Sequence, residues 1–294
     1  MRGQTSAGLP YALGAYLIWG VLPIYLRLVH HVPPFEFVGW RVVFTLPFCL
    51  ALIAFRKQAS AVKAALTQPR TLMTLTASAL LIGANWLIYI WAIQRGHVLA
   101  SSLGYYINPL ANVLAGTLFL GERLSRRQWL AVALAAIGVT ILAFGALDML
   151  GISLSLAATF CGYGLVRKLA PVEAIPGLTV ETLLLLIPGL LLIASFAASP
   201  TGSAMSGDLA TDLLIAASGI VTGLPLVLFA TAARRMDYSS LGFVQFLSPT
   251  LVFLEGLLLF HEPLRPVQLA SFGFIWLAIG LFVIDLFARR RLSA

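Results

Sequence analysis

Ser101, Tyr105, Asn108 and Asn112 fall at i, i+4, i+7 and i+11, so on a helix they form one polar stripe. Gln245, Ser248 and Glu255 form a second stripe, with Val252 where Asn112 would be matched. These are mostly neutral hydrogen-bonding groups set in apolar surroundings. Such groups hold a small polar solute reversibly and need no covalent step. Hydrogen bonding between helices often explains one Asn or Ser in an apolar bundle. Two matched stripes exceed that need, and both are expected to line a central cavity, because polar groups facing lipid are costly.

Aromatic and backbone groups extend the set. Trp19, Trp86 and Tyr163 lie away from the ends of their apolar segments, and Trp86 shares its segment with Asn85 and Tyr89. They suit the walls of an apolar pocket whose hydroxyl and indole N–H groups fix orientation. Trp40, Trp129 and Tyr11, nearer segment ends, fit the interfacial belts. The candidate substrate-binding residues are therefore Trp19, Asn85, Trp86, Tyr89, Ser101, Tyr105, Asn108, Tyr163, Gln245 and Ser248.

Pro109 and Pro249 each remove a backbone N–H and disturb the carbonyl four residues earlier, those of Tyr105 and Gln245. With Gly223 and Pro225 they are candidate kinks or gates; Pro23 and Pro47 mark two further segments. Glu255 is a candidate for proton coupling, with a structural partnership to an Arg or a Trp N–H as the equal alternative. Arg41 and Glu181 read as gate or packing residues. Glu122 and Glu262 read as caps where helices end.

No catalytic constellation is present. The chain has no His-Glu-x-x-His pair, no Gly-rich phosphate loop with Lys and no Gly-x-Ser-x-Gly elbow. His30 and His31 stand in a loop, too isolated for a metal site. The expectation is no enzyme, no cofactor and no metal, with energy drawn from a gradient.

Composition dictates what must hold these residues. Of 294 residues, 60% are hydrophobic and 10% charged, with mean hydropathy +0.96; soluble domains carry about one quarter charged residues. A globule cannot hide that much apolar surface from water, so lipid must cover it. The fold class is an all-α integral membrane protein. A span takes about 20 apolar residues, and ten segments qualify: 9–28, 35–55, 72–93, 98–120, 128–147, 149–167, 177–198, 210–233, 239–260 and 267–288. Cys49 and Cys161 fall inside apolar runs and read as packing residues. The N-terminal stretch runs straight into the first segment without a cleavage pattern and is expected to be retained.

Fifteen of the nineteen Lys and Arg fall on one side of that arrangement, leaving Arg27, Arg41, Arg95 and Arg265 on the other. By the positive-inside rule both termini are cytoplasmic. The net charge of +8 is thus a topology signal, and no nucleic-acid partner is expected.

The chain also repeats itself. Pro109 and Pro249, Gly116 and Gly256, Glu122 and Glu262, and Leu124 and Leu264 each stand 140 apart, while Ser-Ser-Leu-Gly recurs at 101–104 and 239–242. Residues 1–147 and 148–294 then form two five-helix halves around the cavity. Five spans are an odd number, so the second half enters the membrane inverted, a device of transporters that alternate access.

At this level the chain resembles the EamA-type domains of the drug/metabolite transporter superfamily. FLGERL (119–124) and LFHEPL (259–264) carry the half-ending pattern; YLIWG (16–20), GANWLIY (83–89), GHVLASSLGYYINPL (96–110) and PTL (249–251) resemble its RarD-like branch. YddG-type amino-acid exporters belong to the same superfamily. The resemblance implies ten helices and a cavity walled by spans one, three, four, six, eight and nine, with spans five and ten outside it. It also implies export of small metabolites, amino acids prominent among them. His261 replaces the Gly expected before the second Glu. The expectation is a monomeric multi-pass exporter of the bacterial inner membrane, moving a small-molecule substrate, most simply an amino acid. Alternatives are an exporter of lipophilic cations, a passive facilitator, and a receptor or assembly subunit without flux.

Overall fold

Backbone N–H and C=O groups that leave water must pair within their own segment, and each of the ten apolar runs does so as helix. The computed structural model describes residues 4–95, 97–144, 147–200, 202–205, 208–261 and 265–291. Glu262 and Leu264 lie outside the described residues. The first half holds α1 (Gln4–Gly20), α2 (Leu22–Leu28), α3 (Pro34–Arg56), α4 (Ala59–Thr67), α5 (Pro69–Gln94), α6 (Val98–Phe119) and α7 (Arg126–Ala143). A 3₁₀ turn (Leu147–Met149) leads to α8 (Leu150–Leu169), α9 (Ala174–Ala197), α10 (Leu209–Arg235), α11 (Tyr238–Gln245), α12 (Leu247–Leu258) and α13 (Pro266–Arg291).

Among the described residues nine helical segments are long and apolar enough to span a membrane. The 22-residue α6 occupies the remaining predicted position. Helix α4, a short helix in the expected 56–70 loop, has no counterpart in the sequence reading. The fifth and sixth segments part around the 3₁₀ turn, where Asp148 interrupts the apolar run.

Proline acts unevenly. The ninth segment breaks between α11 and α12, and α11 ends at Gln245, the residue whose carbonyl faces the ring of Pro249. The first segment breaks in the same way before Pro23, between α1 and α2. Pro109, Pro47 and Pro225 lie inside helices that run through them.

The helices pack in reciprocal pairs. α7 lies on α13, α3 on α9, and α6 on α11. α1 packs on α10 as α8 packs on α5, and α3 on α10 as α9 on α5; α1 meets α11 and α12 as α8 meets α6. Small residues allow the close approaches. A Cβ on Gly39 of α3 would stand 2.7 Å from the Gly189 carbonyl of α9, and one on Gly138 of α7 equally close to the Ser271 carbonyl of α13. Among the spanning helices one pairing lacks its counterpart: α8 packs against α10, while α1 and α5 make no comparable contact.

Candidate functional site

The space between α1 and α5 is a cavity of about 240 Å³. The broken first segment gives it Tyr16, Trp19, Leu22, Pro23 and Leu26; α5 gives Ile82, Asn85, Trp86, Tyr89 and Ile93. α6 adds Ser101, Ser102, Tyr105 and Tyr106, and α11 with α12 add Gln245, Ser248, Pro249 and Val252. Single residues enter from α3 (Arg41) and α8 (Phe160), and Thr222 with Leu226 from α10. The walls are the six spans that the resemblance implied, with Arg41 of the second span in addition. Helices α7 and α13 stand outside.

Eight of the ten candidate binding residues therefore line one cavity: Trp19, Asn85, Trp86, Tyr89, Ser101, Tyr105, Gln245 and Ser248. Their hydrogen bonds narrow what each offers. Asn85 gives its NH₂ to the Leu156 carbonyl and Thr159 Oγ1, both at 2.9 Å, tying α5 to α8. The Gln245 Oε1 accepts from Asn112 at 2.7 Å and from the Tyr16 hydroxyl at 3.5 Å. A ligand thus meets Gln245 through its NH₂ group. Tyr89 and Tyr105 pack edge to face with centroids 5.8 Å apart, and Tyr105 keeps 43% of its surface open.

Asn108 and Tyr163 lie outside the lining. Asn108 is buried, and its Oδ1 has no hydrogen-bond partner. Tyr163 is fully buried, stacked on Phe229 at 6.0 Å and set against Phe160, which itself meets Trp19 at 5.6 Å. It belongs to the aromatic layer beneath the cavity. Glu255 is also off the lining, buried and without a hydrogen-bond partner for either oxygen. Among the candidate kinks only Pro249 reaches the cavity. Pro109 and Gly242 mark the α6–α11 approach, where a Cβ on Gly242 would stand 2.6 Å from the Pro109 carbonyl. Gly223 makes room for Phe48 of α3, and Pro225 is buried in α10.

Arg41 was not in the candidate set. Its Nε donates to Thr222 Oγ1 at 2.8 Å and its guanidinium lies 4.9 Å from the Trp86 ring centre. Its position 140 residues before Glu181 suggested a gate or packing residue, and Glu181 does pack. Ser78 and Tyr163 donate to the Glu181 carboxylate, and Arg167 approaches it at 3.5 Å, all fully buried. Arg41 differs because the cavity opens at its side of the bundle, a fact of packing with no local signal in the sequence.

On the side away from the cavity, polar groups tie the bundle together. Lys168 Nζ donates to the carbonyls of Ala233 (2.9 Å) and Met236 (2.7 Å). Arg234 donates to the carbonyls of Ala170 and Val172. The Glu122 carboxylate accepts from the backbone N–H groups of Tyr238 and Ser239, at 2.6 and 2.8 Å, and from the Ser239 hydroxyl. Glu122 is a cap, as its place where a helix ends suggested, but for α11.

The EamA-like transporter family matches residues 6–144. Protein RarD of Salmonella typhimurium is 44% identical over 284 residues, covering 96% of each chain. The chain belongs to the RarD branch of the EamA-like transporter family. An uncharacterized transporter of Pseudomonas aeruginosa is 46% identical over 277 residues, 94% of this chain and 93% of that one. A crystal structure superposes with a TM-score of 0.74 at 19% identity, covering 98% of this chain and 99% of the other. That likeness carries the fold. Family membership makes this RarD-like protein a multi-pass membrane transporter acting on small molecules.

Proposed function

We infer that this RarD-like protein is a secondary exporter of small metabolites, amino acids first among them, working by alternating access between two inverted halves, 1–147 and 148–294. One observation carries the reading. Exchanging each helix with its counterpart in the other half leaves the main packing pattern intact, except that α8 meets α10 while α1 and α5 stand apart around the cavity. In an inverted repeat that asymmetry is one state of two: closing α1 on α5 while parting α8 from α10 moves the opening to the other side.

The distribution of Lys and Arg supports cytoplasmic termini in a bacterial inner membrane, which makes the cavity outward-facing. Helices α11 and α12 meet at a break beside Gln245, where Pro249 has no N–H to give the Gln245 carbonyl. Monomeric function fits a cavity walled entirely by one chain. The cavity volume, about 240 Å³, is below the roughly 300–1,000 Å³ of pockets for drug-sized ligands. Size and the lack of a carboxylate in the lining both weigh against the lipophilic-cation reading. Glu255, away from the lining, would couple to protons only through the helix that carries it.

Counterflow tests the reading. Liposomes holding the purified protein are loaded with one unlabelled amino acid and offered the labelled form outside. Exchange with Thr, Met, Leu or Phe, absent from protein-free liposomes, is the expected result. Silence across that panel, with reconstitution verified, removes amino acids as the cargo; binding without any flux moves the protein to the receptor reading.

A further inference from the structure

We propose that Arg41 is an anion subsite: the cavity recognises the carboxylate of a small cargo with an apolar or aromatic body, and the cargo's amine is dispensable. The proposal rests on the transporter reading above and specifies what that cavity selects.

Arg41 is the charged residue in the lining, and none of the residues that share the cavity is a carboxylate. Arg167 and Glu181 form a buried ion pair of their own, apart from the cavity lining. The titratable side chains that share the cavity with Arg41 are phenols: Tyr16, Tyr89, Tyr105 and Tyr106. A guanidinium in a membrane-spanning helix is costly to keep and calls for a partner. Here the protein gives it one hydroxyl, Thr222, and one ring face, Trp86. Both contacts fix the guanidinium plane. The Nε bond to Thr222 leaves the two Nη groups as the fork that a carboxylate fits bidentately.

The neighbouring polar groups have the same polarity. Gln245 has its oxygen taken by Asn112 and Tyr16 and offers NH₂; Tyr89 and Tyr105 bring hydroxyls that donate to an anion. A cavity rich in donors around a fixed cation suits a carboxylate and repels an ammonium. The remaining wall is apolar and aromatic, with Trp19, Trp86 and Phe160 ready to cover a hydrocarbon body.

Purified protein in detergent is titrated with 3-phenylpropionate, phenylalanine and phenethylamine, following tryptophan fluorescence, since Trp19 and Trp86 face the ligand. These probes share a ring and differ in charge. Both carboxylates are expected to bind, and phenethylamine at least about tenfold more weakly, the range of one charge-assisted hydrogen bond. Arg41→Gln should lower carboxylate affinity about tenfold or more, and Arg41→Lys should retain part of it. Equal binding of amine and acid in the wild type overturns the proposal without any variant. So does an undiminished preference for acids in Arg41→Gln, or failure of both acids to bind. Because binding is read without flux, an acid that binds but does not exchange in liposomes sustains the subsite and removes the transport reading.

Discussion

Lys168 Nζ donates to the Met236 carbonyl at 2.7 Å, joining the end of α8 to the residue that closes α10. The same ammonium reaches the Ala233 carbonyl at 2.9 Å. Helix carbonyls in the last turn have no helical donor, and a cation there also meets the negative end of the helix dipole. The contact exists on the closed side of the bundle. It has no equivalent between α1 and α5, where the cavity stands open.

Lys168→Met should therefore favour parting of α8 from α10. Loss of one charge-assisted contact, about 1.5–3 kcal/mol, shifts a two-state balance by roughly tenfold or more. Spin labels on α8 and α10 should report a longer separation in the variant. An unchanged distance distribution, with and without ligand, contradicts a gate at this position.

Tyr105 and Tyr163 should separate binding from folding. Tyr105 lines the cavity and is 43% exposed, so Tyr105→Ala should abolish counterflow with a thermal midpoint close to wild type. Tyr163 is fully buried among aromatic rings. Its truncation to Ala should cost about 3–5 kcal/mol of stability and reduce the yield of folded protein. Counterflow and thermal unfolding on the same preparations decide the comparison, and equal midpoints in the two variants count against the assignment.

Arg167 and Glu181 form a fully buried ion pair. Removing one partner strands a charge, so Arg167→Met or Glu181→Leu alone should destabilise the protein by about 3–5 kcal/mol. The double variant Arg167→Met/Glu181→Leu should recover much of that loss, because both charges leave together. A double-mutant cycle on thermal or denaturant unfolding gives the coupling. Additive single losses would show that the two charges are held by other groups.

Asp208 caps α10 from outside the membrane-spanning segments. Its carboxylate accepts from the Thr211 hydroxyl at 2.8 Å and from the backbone N–H groups of Thr211 (3.1 Å) and Ala210 (3.4 Å). The Thr211 side-chain bond foremost, then the backbone bonds, hold the carboxyl below the usual aspartate range. A lowered carboxyl stabilises the fold above the unfolded value, about 3.9, and loses that contribution as pH falls through the folded value. The stability gap between wild type and Asp208→Ala should be constant above about pH 5 and narrow below about pH 4. A gap independent of pH would mean that charge plays no part in the cap.

The sequence by itself determined the solvent, the elements and much of the wall. Sixty per cent hydrophobic residues leave lipid as the medium, and lipid leaves helix as the form of every apolar run. The spacing of Ser101 and Tyr105, and the match of Pro109 to Pro249, pointed to the faces that meet the cavity. This was legible because helical period and proline chemistry act over a few residues. Tertiary packing decided the rest. Asn108 and Asn112 share a stripe with Tyr105, yet α6 also carries α11 on that face, and Asn112 turns to Gln245. The helix breaks before Pro249 and runs on through Pro109, although each removes the same N–H; at Pro109 the backbone of α6 lies against Gly242 of α11. Arg41 and Glu181 stand at matching repeat positions with opposite fates. One half of the bundle is closed around Glu181 and the other is open beside Arg41, and only the arrangement of whole helices distinguishes them.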